Sequence, residues 1–377
     1  MSFPWFKKKK TELSGTLTEM KKMLDQKKKV IYKMTHEDEM ILRMIREKTS
    51  LANQNNITRT KAYLSFYQNH PEIHWSFLAH MVSRNAGWNM TDLKGTCLSR
   101  LLEKKEAETF FLFLERGNWL IFNDAYPQLL MYEESLKYGR NLAYLLPHLF
   151  VSAYMQTVWT YFWQYKDSAL LTVALIINEQ NHLDETLIKE PNIHNQVLVK
   201  PEFSLQDHLS MNQILFPYLK NNTKISFAGK TIHHFEQLDS RIQIGKDLYT
   251  CLFNERSLKK IEQWALNTPH TGSRKDYWPH LFNDINEEFP GKKYKVRLRE
   301  CRLLSGSPHF YSPSLSYVWK DVSHSPPQYT EWYKDSTIVK EMVLNMNQTI
   351  ENVEVDYCKT LEKLEMACVA KNVFPLF

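Results

Sequence analysis

A chain of 377 residues with 43% hydrophobic and 13% aromatic content carries enough apolar mass for a large core, which excludes a disordered protein. Ten glycines are few against a usual share of roughly 7%, which disfavours glycine-rich nucleotide loops and tight-turned β architectures and favours helices. The net charge of +6 is local: residues 1–35 hold ten lysines against Glu12, Glu19 and Asp25, so the remainder is close to neutral and a nucleic-acid partner is not expected.

The N-terminus, MSFPWFKKKK, has charges but no apolar run behind them, unlike a secretory signal. Residues 1–34 read as a flexible basic tail; with Phe3, Trp5 and Phe6 beside the lysines, residues 1–30 are also suited to reversible docking on an anionic membrane surface. Thr35 is placed to cap a helix whose first turn is acidic (Glu37, Asp38, Glu39) and whose apolar face is Met40, Ile41, Met44 and Ile45. From there to about residue 187 one helical pattern follows another.

The stretch HWSFLAHMVSRNAGWNM (74–90) is the most unusual of these. With Pro71 in a first turn, helical spacing places Glu72, Ser76, Ala79, His80, Ser83 and Gly87 on one stripe, opposite Trp75, Phe77, Leu78, Met81 and Val82. Small side chains where a solvated face would carry long ones predict that a second element covers the stripe, leaving Glu72 and His80 partly buried and in need of partners. Gly87 fits a helix stop, with Thr91 or Asp92 capping the next helix. His74 points to the apolar side and is structural.

Two further apolar runs carry isolated acids, Glu115 in AETFFLFLERGNWLIF and Glu179 in ALLTVALIINEQNHLDE. Glu72, His80, Glu115 and Glu179 are therefore the candidate catalytic residues of a helix-lined acid–base pocket. Glu179 and His182 form one Glu-x-x-His pair, the half-motif of a di-metal bundle site, but the second pair is absent, so no cofactor is expected. A buried ion pair of Glu115 or Glu72 with Arg59, Arg84 or Arg116 is the simpler expectation. The apolar run 142–163 contains Pro147, His148 and Gln156 and reads as a buried helix pair, not a membrane span.

Prolines 191, 201 and 217 break up the middle, where a sub-boundary could fall near 190–235, and a helical pattern resumes at 239–268. Seven of fifteen prolines lie between 269 and 327, marking 269–335 as loop-rich. Within it Gly272, Ser273 and Arg274 could form an anion-binding turn, and KKYKVRLRECR (292–302) reads as a charged edge strand. Val343, Ile350, Tyr357 and Leu364, with Met346, Val353, Thr360 and Ala367, make a heptad stripe over 339–368. It predicts a long C-terminal helix packed on its own domain or, alternatively, self-association or a protein partner. Five widely spaced cysteines without a C-x-x-C pair suit a reducing, cytoplasmic setting better than a disulfide framework.

The strings RTKAY, HPEIHWSFLAHMVSRNAGWNMTDLKG, LERGNWLIFNDAYPQLL, LIINEQN, TGSRKDYWPHLF and YSPSL resemble the uncharacterised YppC-like family of spore-forming Gram-positive bacteria, over about residues 50–335. The resemblance implies a bacterial cytoplasmic protein, peripheral to the membrane if the tail docks there, and carries no catalytic residues. The expectation is a single mainly α-helical body over 35–377 acting as a non-catalytic interaction or scaffold protein, with an enzyme using the carboxylate/histidine pocket, metal-dependent or not, as the alternative.

Overall fold

The structure, a computed structural model, describes residues 4–26, 33–189, 213–220, 224–231, 237–289, 291, 293–344 and 353–373. It is mainly helical, as the composition predicts. The chain runs through α1 (Pro4–Asp25), α2 (His36–Ala52), α3 (Asn56–Asn69), α4 (His74–Asp92), the single turn α5 (Leu98–Leu101) and the long α6 (Lys104–Lys137). Then come a 3-10 segment (Ala143–Leu149), α7 (Ala153–Tyr165) and α8 (Ser168–Leu183), the antiparallel hairpin β1–β2 (Gln213–Lys220, Lys224–Thr231), α9 (Leu238–Leu252) and α10 (Leu258–Asn267). The remainder holds two-residue strands, β3 (Phe282–Asn283) pairing in parallel with β6 (Phe310–Tyr311) and β4 (Leu298–Arg299) antiparallel with β5 (Arg302–Leu303), then the short α11 (Leu315–Val318) and the C-terminal α12 (Val353–Val373).

Local chemistry sets several boundaries. Thr35 caps α2 through a reciprocal pair, its Oγ1 accepting from Asp38 N and Asp38 Oδ2 accepting from Thr35 N. The apolar run at 142–163 is divided: Pro147 sits in the 3-10 segment, Phe150 turns left-handed at φ 60°, and Ser152 caps α7. No described helix is long and apolar enough to cross a membrane.

Four expectations are corrected. The segment predicted to be a flexible tail is helical over Pro4–Asp25, because Leu17, Met20 and Leu24 lie three and four residues apart and form one apolar face; Met20 and Leu24 are buried against the body, where α1 meets α7. Helix α4 begins at His74, not at Pro71, so Glu72 stands in the turn before it. Gly87 does not stop α4, which continues to Asp92; a Cβ there would lie 2.5 Å from Asn56 Oδ1 and 2.7 Å from His270 Cε1, so glycine serves the close approach of neighbouring elements. Cys301 and Cys358 form a disulfide with a Cα separation of 5.3 Å, because α12 folds back across the β4–β5 turn and brings together residues 57 apart in sequence.

The predicted long C-terminal helix is described over Val353–Val373, while Ser336–Met342 form a separate 3-10 turn, and Met346 and Ile350 lie outside the described residues. Val353, Tyr357, Thr360 and Leu364 of that stripe are buried within the chain's own body. Tyr357 stacks on Trp278 with ring centroids 4.0 Å apart. Glu365 holds the helix to the 294–298 segment by accepting from Tyr294 Oη (2.7 Å), Arg297 N (2.8 Å) and Leu298 N (3.0 Å). That segment is only partly an exposed charged edge: its Arg297 is buried and paired with Glu288.

Candidate ligand-binding site

The small-residue stripe of α4 is covered, as its composition predicts, and the two sides of the helix meet different surroundings. On one side α3 packs against it: Asn56 Nδ2 donates to Ser83 O (2.9 Å) and Oγ (3.0 Å), and Ser83 Oγ lies 2.6 Å from Thr60 Oγ1. His80 Nδ1 donates to Thr60 O (2.8 Å), and its Nε2 has no partner. Burial and the nearby Arg84 charge push the His80 pKa down to about 3, so the ring is neutral. His270 donates from Nε2 to Asn56 Oδ1 (2.7 Å) and is likewise held neutral by burial, with Arg84 and His80 adding to the effect. His74 bonds Tyr249 Oη (2.8 Å) and stacks on Phe253, the structural role predicted for it.

On the next strip of the same helix, Trp75, Leu78, Ala79, Val82 and Ala86 wall a cavity of about 190 Å³. Its far side is α9, contributing Ile244 and Leu248, with Gly245 allowing close packing on Ile176 of α8. Ile121 of α6, Leu183 of α8 and Ile214 of β1 add to the described apolar lining. Alanine at 79 and 86 leaves the space that larger side chains would fill. The polar groups on the wall come from α3 (Arg59, Tyr63), α8 (Glu179, Gln180) and α9 (Arg241), with Ser83 and Asn118.

Their charges are unequal in availability. Arg59 is buried and its Nη2 donates to both oxygens of Glu115 (2.6 and 2.5 Å), while its Nη1 donates to Asn53 Oδ1. Arg241 donates to Asp184 Oδ1 (2.6 Å) and to Gln180 Oε1 (3.2 Å). Both cations are therefore neutralised by their own acids. Glu179 forms no ion pair with any described residue; it accepts from Gln180 Nε2 (3.1 Å). Half-buried on the cavity wall, its carboxyl is pushed up to about 8 by desolvation, which the hydrogen-bonding effect of Gln180 and Trp75 opposes and the nearby Asp124 reinforces. Asp124 itself accepts from Asn178 Nδ2 (2.6 Å) and Gln128 Nε2 (3.0 Å), in a polar chain that Ser152 and Trp332 continue through Asn178 Oδ1.

The four residues predicted for an acid–base pocket thus have separate partners. Glu179 is on the cavity wall, and Glu115 stands behind it through Arg59, the ion pair expected from the sequence. His80 faces α3 and His270. Glu72, in the α3–α4 turn, accepts from Tyr132 Oη (2.8 Å) and lies 3.7 Å from His70. Among the described residues no group of three or more His, Cys, Asp and Glu side chains is arranged to hold a metal ion; His182, beside Glu179 on α8, has a buried Nε2 without a partner.

The turn at Gly272–Arg274 is internally satisfied. Ser273 N donates to Thr271 Oγ1, Arg274 N to Ser312 Oγ, and Arg274 Nε and Nη1 to Asp92 Oδ2 and Tyr357 Oη, each 2.6 Å, with the guanidinium stacked on Trp88. Thr91 Oγ1 donates to Gly272 O. Thr91 and Asp92, expected to cap a following helix, instead join the end of α4 to this turn, and the Ser273 amide and the Arg274 amide and guanidinium that an anion would need are occupied.

A family model described as "Protein of unknown function (DUF2515)" matches residues 51–354. The chain belongs to this family. The uncharacterized protein YppC of Bacillus subtilis (strain 168) is 42% identical over 236 residues, 63% of this chain and 72% of that protein. No solved structure matches. Every element that walls the cavity lies within the span the family model matches. Sequence reasoning found Glu179, Glu115 and Arg59 and the helical pattern at 239–268, but assigned neither Tyr63, Asp124 nor any residue of α9 to the site. The Ala79, Val82, Ala86 spacing was the available signal, and it reads equally as ordinary helix packing.

Proposed function

We propose that the protein binds a small, largely apolar molecule in the cavity between α4, α8 and α9. The carrying observation is the cavity itself, about 190 Å³ of space walled by Ala79, Val82, Ala86, Ile121, Ile214 and Ile244 and carrying the ionisable Glu179. Protein interiors rarely leave voids larger than a water molecule. An engineered apolar cavity of about 150 Å³ accepts benzene, which sets the ligand at roughly one ring or a short chain. Of the surfaces on which a scaffold role rested, the C-terminal stripe is packed on the body at Val353, Tyr357, Thr360 and Leu364, which favours the pocket over the contact-surface reading there, while the side chains of residues 1–14 lie outside the described ones.

The test is ligand-induced stabilisation. Toluene is expected to raise the melting temperature of the wild-type protein and to leave unchanged that of an Ala86→Trp variant, whose indole fills the space. Equal shifts in both proteins, or none in the wild type, would overturn the proposal.

A further inference from the structure

Resting on that reading, we infer that the natural ligand is a small hydrophobic amine, bound as its ammonium with the nitrogen against Glu179 and the apolar part against Ala79, Val82 and Ala86. Three observations carry it. The first is the disposition of charge. Arg59 is closed by Glu115 and Arg241 by Asp184, so neither guanidinium offers a free charge to an anionic ligand. Glu179 is the only acid on the described wall, and no described cation meets it. A ligand carboxylate entering here would find only cations already paired with their own acids, while a ligand ammonium would meet a carboxyl that can yield its proton and pair with it, with no described cation competing.

The second is the aromatic lining. Trp75 and Tyr63 flank the same cavity with ring centroids 5.5 Å apart in an edge arrangement. Aromatic faces beside a carboxylate favour a desolvated cation through their quadrupoles. The third is the support behind the acid. Gln180 donates to Glu179 while accepting from Arg241, so the carboxyl is oriented from its own helix and from α9. Charged and titratable groups facing it are Asp124 from α6, Tyr63 and Arg59 from α3, Arg241 from α9 and His182 on its own helix.

The proton balance is definite. Near neutral pH the unliganded carboxyl holds its proton; binding an ammonium, protonated throughout this range as lysine is with a pKa of about 10.4, forms the carboxylate–ammonium pair and releases one proton to solvent. Affinity for an amine therefore tightens by up to about tenfold per pH unit between pH 6 and 7.

Calorimetric titration with benzylamine, benzyl alcohol, benzoate and toluene tests this on the full chain. The expected result at pH 7.5 is benzylamine binding at least tenfold tighter than benzyl alcohol, with most of one proton released when buffers of different ionisation enthalpy are compared. Glu179→Gln should lose that preference while still binding toluene. Equal affinity for the amine and the alcohol, a preference for benzoate, or undiminished benzylamine preference in Glu179→Gln would overturn the amine assignment while leaving the cavity reading intact. Failure of all four probes to bind would instead overturn the cavity reading, and the amine assignment with it.

Discussion

Arg59 on α3 and Glu115 on α6 form a fully buried ion pair, one guanidinium nitrogen lying 2.6 and 2.5 Å from the two carboxylate oxygens. The pair removes from the cavity wall a charge that would otherwise dominate it. Breaking it from one side leaves a buried charge uncompensated: Arg59→Met or Glu115→Gln alone is expected to lower unfolding free energy by about 3–5 kcal/mol in urea titrations. The double variant Arg59→Met/Glu115→Leu should recover most of that loss. Additive losses would show that the pair is not coupled as described.

Glu179 makes an opposite demand. Its carboxyl is raised in the folded protein to about 8 from the ordinary 4.5, so the folded state holds a proton that the unfolded state gives up. Its stabilising effect is full below pH 4.5 and is lost as pH rises towards 8. Glu179→Gln is accordingly expected to leave stability near pH 4.5 almost unchanged and to increase it at pH 7.5, on the order of 2 kcal/mol or more. A variant less stable than wild type at both pH values would contradict this environment for Glu179.

His80 has the reverse sign. Its folded pKa of about 3 lies below the ordinary 6.5, so the unfolded chain takes up the proton first as the solution is acidified. Stability is full above pH 6.5 and falls as pH drops from there towards 3. Replacing it by Gln should flatten the fall between pH 6 and 4 by up to one proton, about 1.4 kcal/mol per pH unit; His270, also held neutral, leaves a residual slope. An identical slope in the variant would mean that His80 is solvated.

Thiol chemistry checks the packing of α12. With Cys301 and Cys358 joined, Cys97, Cys251 and Cys368 stand outside the disulfide. Protein prepared under non-reducing conditions and then denatured should titrate three thiols, rising to five after reduction. Five before reduction would place Cys301 and Cys358 as unlinked thiols.

What the sequence revealed divides along the range of the forces involved. The cap at Thr35, the break around Pro147 and the partnership of Glu115 with an arginine are set by chemistry within a few residues or by the rule that buried charges pair, and all were legible. Gly87 was misread because a glycine near a polar stretch signals a helix end locally, whereas here it admits Asn56 and His270, side chains distant in sequence. The tail was misread because its lysine runs outweighed the Leu17, Met20, Leu24 face. The cavity was hidden for a related reason: Ala79 and Ala86 show only that something comes close, and its far wall, Ile244 and Leu248, lies more than 150 residues away along the chain. The Cys301–Cys358 pairing also depends on chain return and has no spacing signature.

The most direct measurement of cavity binding is an NMR titration of isoleucine-methyl-labelled protein with toluene. Ile121, Ile214 and Ile244 border the cavity, while Ile41 and Ile45 are buried on α2, which contributes nothing to its described wall. Saturable shifts at the first three, with Ile41 and Ile45 unmoved, are the predicted result. No shift at Ile121, Ile214 and Ile244, or equal shifts at all five, would contradict a ligand site between α4, α8 and α9.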